Sequence, residues 1–216
     1  MSSDKEFFEA QRVPSKIAAL FVAANGCYYY LPDVEPWGIP DRDARLYAGP
    51  YPVVAHPPCE RWGRYWSGGP SSPKRYKLGD DGGCFASALA SVRRCGGVLE
   101  HPQGSQAWRA FGLLAPPKSG GWVPAGDGLG YTCCVSQGWY GHLAQKPTWL
   151  YAVRCELPAL IWGRAPDHWK NDPTRSERWR ARAEKEGVTI LLSRKQRAAT
   201  PIPFRDLLIT MARTVR

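Results

Sequence analysis

The sequence contains no Cys-x-x-Cys pair, although it has seven cysteines, at positions 27, 59, 84, 95, 133, 134 and 155. A structural zinc site of the usual kind is therefore not expected. The nearest approach to one is His56-x-x-Cys59, with His101 and His142 elsewhere in the chain, so zinc remains only a lesser alternative. The sequence also lacks a signal peptide and a long apolar run, which predicts a cytoplasmic protein without a membrane span.

Acidic residues are few relative to basic ones. The 216 residues include 19 Asp plus Glu against 29 Lys plus Arg, a formal net charge of +10. This imbalance favours a polyanionic partner such as nucleic acid, with a solvated basic face as the plainer alternative. Residues 163–216 carry 13 Lys plus Arg and 6 Asp plus Glu, which is +7 of the total. The C-terminal quarter is therefore the expected electrostatic contact surface.

The sequence also lacks a glycine-rich turn after its first predicted strand, where an α/β domain that binds an adenosine cofactor usually has one. Residues 17–23 form an apolar run typical of a central parallel strand, and residues 24–32 then contain a single glycine. Residues 33–37 could form a second strand whose acidic residues end near a ribose, with a further acidic loop at 41–44. A surface turn explains these residues equally well.

Two short apolar runs end in reactive residues. Residues 52–55 stop at His56-Pro57-Pro58-Cys59, and residues 97–99 end at Glu100-His101-Pro102. The helix predicted between them makes a βαβ unit, so the two strands should be parallel neighbours ending at one sheet edge. Each residue alone has a plainer explanation, as a buried cysteine or part of a turn. Because ligands gather at such edges, the candidate catalytic residues are Cys59, Glu100, His56 and His101.

The remaining sequence predicts elements that frame this edge. Arg61, Trp62 and Arg64 belong to a loop, residues 60–79, whose cations and aromatics suit either nucleic-acid binding or surface packing. Gln137, His142 and Lys146 lie on or near the connection between two predicted strands. The other predicted elements are helices at 3–11, 80–94, 105–111, 175–186 and 202–213, and strands at 131–137, 148–153 and 187–192.

These motifs resemble, in the same order, three blocks of the DNA cytosine-5 methyltransferases. They are more closely similar to small methyltransferase-like proteins of phages and their bacterial hosts, which read roughly PPC, ENP, and QYG followed by KPT. The matching segments here are His56-Pro57-Pro58-Cys59, Glu100-His101-Pro102, and Gln137-Gly138-Trp139-Tyr140-Gly141 with Lys146-Pro147-Thr148-Trp149. The resemblance covers about residues 17–155, with a weaker echo at 197–201.

The resemblance implies a Rossmann-like α/β methyltransferase fold, with a central mostly parallel sheet and helices on both faces. We expect a single domain, with the catalytic part at 1–162 and a basic C-terminal extension at 163–216 packed on the same domain. Cys59 would attack carbon 6 of a flipped cytosine, and Glu100 would hold N3 and the exocyclic amine. S-adenosylmethionine would lie near Phe21, Asn25, Glu35, Asp43 and Pro57. DNA, as duplex or single strand, would contact Arg61, Trp62, Arg64, Gln137, His142 and Lys146.

Physical chemistry supports the same pair of residues. Carbon 6 of a pyrimidine is a weak electrophile, so its attack needs a thiolate and an acid near N3 to absorb negative charge. The sequence departs from the family at the glycine-poor cofactor loop, at His56, and at His101, where the family usually has Asn. Two alternatives therefore stay open: a related base-modifying enzyme without S-adenosylmethionine, and an inactive DNA-binding protein of the same fold.

Overall fold

A seven-stranded mixed sheet forms the centre of the protein. The computed structural model describes residues 16–68 and 74–216, so the helix predicted at 3–11 lies outside the described residues. The strands, in chain order, are β1 (Ile17–Leu20), β2 (Val34–Trp37), β3 (Val53–Ala55), β4 (Gly97–Pro102), β5 (Val123–Pro124), β6 (Tyr131–Ser136) and β7 (Pro147–Val153). Their order across the sheet is β2-β1-β3-β4-β7-β6-β5.

The sheet has a parallel half and an antiparallel half. Strands β2, β1, β3 and β4 pair in parallel, whereas β7 runs antiparallel to both β4 and β6, and β5 is antiparallel to β6. The α/β class is confirmed, but the mostly parallel arrangement holds only for the first half. The short connection of residues 137–146 accounts for the antiparallel pairing of β6 and β7, because parallel neighbours need a crossover of about a dozen residues or more.

Helices cover both faces of the sheet, as expected. Helices α1 (Cys84–Cys95) and α2 (Gln106–Ala110) pack on one face, and the C-terminal helix α6 (Ile202–Arg213) packs on the other. Side chains alternate between faces along a strand. Leu99 thus joins the core beneath α1, and its neighbour Val98 joins the core beneath α6.

The C-terminal helix covers the face that lies beside the connection between β1 and β2. Residues 21–33 make this connection as a series of turns without a helix. Phe204 and Leu208 of α6 are buried against Tyr28 and the strands on this face. Arg205 fixes the contact, since its Nη1 donates to the Cys27 carbonyl over 2.8 Å. Segments 178 residues apart in the chain therefore meet beside the first strand.

The residues after α3 (Glu177–Glu186) differ from the prediction of a strand at 187–192, which is wrong. They form a short helix, α4 (Val188–Leu191), followed by α5 (Arg194–Ala198). Periodicity cannot separate strand from helix in so short an apolar run. Ser193 begins α5 with a capping box, since it exchanges hydrogen bonds with Gln196. The predicted helix at 202–213 is confirmed with the same bounds.

The strand order reverses direction at β1. From β1 the chain goes to β2 on one side, and later to β3 and β4 on the other. In open α/β sheets the ligand crevice lies outside the carboxyl ends of the strands at this point. Residues 21–33 and 56–60 follow those ends. No helix of the described ranges is long and apolar enough to cross a membrane.

Candidate active site

His56 and Glu100 lie side by side at the carboxyl edge of the parallel half. Ala55 is paired with Leu99 across β3 and β4, and each is followed by one of the two polar residues. Since Ala55 and Leu99 face α1, the next residues face α6. His56 Nδ1 is 3.0 Å from Glu100 Oε2, and His56 Nε2 is 2.8 Å from the Tyr28 hydroxyl. The predicted proximity of residues from the two strand ends is thus observed.

Gln137 extends this hydrogen-bonded chain from the antiparallel half of the sheet. Its Nε2 donates to Glu100 Oε1 over 3.1 Å and to Thr148 Oγ1 over 2.9 Å. Gln137 is fully buried and begins a 3-10 helix, Gln137–Tyr140, that Ser136 caps. Both carboxylate oxygens of Glu100 are therefore held by side chains of the protein, and the chain of contacts runs from Tyr28 to Thr148.

The charge state of Glu100 follows from these neighbours. Burial alone would raise the pKa of Glu100, but the His56 hydrogen bond and the charges of His56 and Lys146 lower it below its usual value. Burial raises the pKa of Tyr28 well above its usual value, so its hydroxyl keeps its proton. His56 Nδ1–H donates to the Glu100 carboxylate, and the Tyr28 hydroxyl lies within hydrogen-bonding distance of His56 Nε2.

Cys59 follows the two prolines after β3, in a turn where the amides of Trp62 and Gly63 donate to its carbonyl. The residue is exposed and lines a cavity of about 500 Å³ together with Arg64, Trp66, His101 and Gln103. Desolvation of the thiol, followed by the negative charge of Glu100, raises the pKa of Cys59. The thiol is therefore protonated at neutral pH and needs a base before it can attack a substrate.

Lys146 is coupled electrostatically to both Glu100 and Cys59. Burial lowers the pKa of Lys146, and the negative charge of Glu100, followed by that of Cys59 once its thiol ionises, opposes this shift. Its Nζ donates to the carbonyls of Ala198 and Ala199, over 3.2 and 2.7 Å, at the end of α5. Lys146 thus connects the C-terminal extension to the site, and its positive charge lowers the pKa values of Cys59 and Glu100.

His142 also holds the extension in place. The Ala144 amide donates to His142 Nδ1 over 3.1 Å, so Nε2 carries the proton and donates to the Gln196 carbonyl at 3.1 Å. Burial lowers the pKa of His142, which keeps the ring neutral. Arg194 forms an ion pair with Glu60, next to Cys59. These contacts make His142 an anchor for α5, although we predicted that it contacts nucleic acid.

His101 lies on the opposite face of the sheet from Glu100, because neighbouring strand residues alternate. It is 1% exposed, with Nδ1 2.7 Å from Ser105 Oγ and its ring stacked on Trp108 at 6.2 Å. Burial lowers its pKa to about 4. Against the expectation of a catalytic role, its surroundings are those of a neutral core residue that reaches only the wall of the Cys59 cavity.

The three loop residues predicted to bind nucleic acid have different surroundings. Trp62 is 6% exposed, and its Nε1 donates to Asp81 over 2.8 Å, so it belongs to the core and cannot stack on a base. The Arg61 guanidinium lies 3.4 Å from the centre of the Tyr76 ring. Arg64 is exposed and lines the Cys59 cavity. Of the predicted basic and aromatic residues in this loop, Arg64 and Trp66 face the cavity.

The predicted cofactor residues do not form a prepared cradle for S-adenosylmethionine. Glu35 accepts from Trp37 Nε1 and Arg42, and Asp43 caps a 3-10 helix while pairing with Arg45. Asn25 accepts from the Tyr30 hydroxyl over 2.7 Å. Phe21 packs on the core and Pro57 is buried in the Cys59 turn. Without a helix after β1, the connection also offers no helix N-terminus to a ligand.

Two members of the hydrogen-bonded chain were missed by sequence reasoning. Thr148 lies in the motif Lys146-Pro147-Thr148, so the sequence contained a signal that could have identified it. Tyr28 is the first of three consecutive tyrosines, and nothing in the sequence distinguishes it from the other two. All seven cysteines are free. Within residues 16–68 and 74–216, no three His, Cys, Asp or Glu side chains are grouped so that they could hold a metal ion.

Comparison with protein-family models, with curated proteins and with solved structures finds no match to this chain.

Proposed function

We propose that this protein modifies a pyrimidine base in DNA through addition of the Cys59 thiol to carbon 6. One observation supports this proposal most strongly. Cys59 is exposed shortly after His56, whose Nδ1 is 3.0 Å from Glu100 Oε2, and the charges of Glu100 and Lys146 both act on the pKa of Cys59. A nucleophile, an ionised carboxylate and a cation whose charges act on one another are the groups that addition to a pyrimidine requires.

The proposed step conserves protons and electrons. The thiol proton passes to the Glu100 carboxylate, and the sulfur electron pair forms the new bond to carbon 6. The electrons of the C5–C6 double bond move into the ring, where protonated Glu100 donates to N3 and Lys146 stabilises the negative charge. Carbon 5 then takes an electrophile. When that electrophile is a solvent proton, loss of the original C5 proton and departure of the thiolate restore the base.

The group that modifies carbon 5 is a separate question. The resemblance implies a methyl group from S-adenosylmethionine, but the residues at the predicted cofactor positions are engaged with one another and fit this group poorly. We therefore derive no step through it, and favour the form of the proposal in which another electrophile is used.

Exchange of the C5 hydrogen tests the addition step without any cofactor. A DNA oligonucleotide containing cytosine and thymine is incubated with the protein in D₂O, and deuterium at cytosine C5 is measured by mass spectrometry. We expect exchange with the wild type and with Cys84→Ser, whose thiol lies at the start of α1, but none with Cys59→Ser. Exchange that persists in Cys59→Ser would contradict the proposal. A parallel arm with S-adenosylmethionine records methyl transfer.

An inactive DNA-binding protein is the second candidate. It is favoured by the raised pKa of Cys59, which desolvation of the thiol and the charge of Glu100 cause, and by the fact that both Glu100 oxygens already accept hydrogen bonds within the protein. Binding of DNA that weakens with salt, without any exchange at C5, would select this function.

A further inference from the structure

The Cys59 cavity is the first of three cavities that are linked by shared lining residues. Next to it is a cavity of about 270 Å³, which shares Gln103 with it and is also lined by Lys118 and Arg164. A third cavity, of about 530 Å³, shares Gln145, Pro147 and Arg164 with the second. Shared walls make the three cavities neighbours in a row, and we call this row the edge groove.

The edge groove is strongly basic. Six cations line it, namely Arg64, Lys118, Lys146, Arg164, Lys170 and Arg197. The acidic residues in its third cavity are Asp167 and Glu184, and each is paired with a cation of the same cavity, Arg164 at 2.8 Å and Lys170 at 3.0 Å. An excess of positive charge therefore remains along a path that begins at Cys59. A row of cations attracts a polyanion, and its members can pair with successive phosphates of a nucleic-acid backbone.

The shape of the groove distinguishes between kinds of nucleic acid. A row of concave cavities, each within or near the size range of small-ligand sites, can accept unpaired bases one after another. A duplex keeps its bases stacked inside, so its target base would have to be flipped out at a cost of a few kcal/mol. Trp66, which lines the Cys59 cavity, adds an aromatic ring of the type on which single-stranded bases stack.

We propose that the edge groove binds single-stranded DNA, with phosphates on Arg64, Lys118, Arg164 and Arg197 and one base in the Cys59 cavity. This inference rests on the proposed function for the choice of DNA, and it names the form of the substrate. It also gives the basic C-terminal extension a role, since Arg164 and Arg197 of that segment form part of the groove.

Fluorescence anisotropy with a labelled, unstructured DNA of about 12 nucleotides measures the binding. The protein carries Cys59→Ser, so that binding is recorded whether or not a covalent bond can form. Arg164→Ala with Arg197→Ala removes two groove charges. Lys16→Ala with Arg216→Ala removes two charges at the opposite edge, where Lys16 precedes β1 and the Arg216 amide donates to the Arg154 carbonyl after β7.

We expect the groove pair to weaken binding about tenfold or more and to lower the salt slope by about 1.4, because each single-strand contact adds about 0.7. The opposite-edge pair should bind within about twofold of the parent. Lys118 is an exposed residue that lines the second cavity, so the single substitution Lys118→Ala should also weaken binding. Thermal unfolding of each variant separates lost binding from lost folding.

Equal or tighter binding of the duplex, or of RNA with the same sequence, would overturn the inference. Unchanged affinity in Lys118→Ala and in the groove pair would also overturn it. Failure of the proposed chemistry gives a different result: wild-type protein then shows no C5 exchange, while single-stranded DNA still binds in a manner that depends on the groove.

Discussion

His56 Nδ1 and Glu100 Oε2 lie 3.0 Å apart, although 44 residues separate them in the chain. They meet because β3 and β4 are parallel neighbours, and their last paired residues, Ala55 and Leu99, directly precede His56 and Glu100. The contact joins the two segments that carry the reactive groups. It also keeps the carboxyl of Glu100 ionised in a buried place, where desolvation favours the neutral acid.

Replacement of His56 should therefore raise the pKa of Glu100. His56→Asn removes the hydrogen bond and charge that lower this pKa and leaves the effect of burial unopposed by them. Titration of the ¹³C-labelled glutamate carboxyl by NMR measures the shift. Tyr28→Phe is the matched control, because it removes the other partner of the same ring and keeps the contact with Glu100. Identical Glu100 titration in wild type and His56→Asn would contradict the assigned cause.

The same carboxyl controls the nucleophile. Glu100 raises the pKa of Cys59, second only to desolvation, so Glu100→Gln should lower it and increase the thiolate fraction at pH 8. We expect alkylation of Cys59 by iodoacetamide to become severalfold faster, measured by mass spectrometry of the Cys59 peptide. Cys84 in the same sample is the internal control, since its pKa is raised by desolvation and Asp81. Slower alkylation of Cys59 in Glu100→Gln would contradict the prediction that Glu100 raises the pKa of Cys59.

The sequence was sufficient to predict that Cys59 and Glu100 approach one edge, because short apolar runs and an intervening helix define a βαβ unit. It was not sufficient for the contacts of α5. Arg194 reaches Glu60 across 134 residues, and no local pattern records such a pairing. The expectation of a mostly parallel sheet was wrong for the second half of the sheet. The connection of residues 137–146 between β6 and β7 is short, and such a connection joins antiparallel neighbours.

Two errors of assignment have a common physical origin. Composition showed aromatic and imidazole side chains near the reactive residues, but not the direction in which they point. Strand alternation sends His101 to the face away from Glu100. In the loop, Trp62 turns inward to Asp81 while Trp66 lines the cavity, although both carry the same side chain four residues apart.

The buried position of His101 predicts a pH-dependent stability. Its pKa is about 4 in the folded protein and about 6.5 as an ordinary histidine. The unfolded chain therefore takes up a proton first, and the stabilisation present above pH 6.5 is lost as pH falls towards 4. Linkage gives a loss of about 2 kcal/mol between pH 7 and pH 5. Urea unfolding at pH 7 and pH 5 should show this loss in the wild type. In His101→Gln the loss between the two pH values should be smaller by about the same 2 kcal/mol. An equal loss in both proteins would contradict it.

Substitution of Trp62 should mainly lower stability, whereas substitution of Trp66 should mainly weaken DNA binding. Trp62 is 6% exposed and packs against Phe85 and Phe111, so Trp62→Ala should cost about 3–5 kcal/mol in the free energy of unfolding. Trp66 is only partly buried and lines the Cys59 cavity, so Trp66→Ala should cost much less stability. The same variant should lose about 1–3 kcal/mol of single-stranded DNA binding, because a base loses its stacking partner. Urea unfolding and anisotropy on both variants test the contrast. A Trp66→Ala protein that binds DNA normally but unfolds as easily as Trp62→Ala would show that this loop only packs on the core.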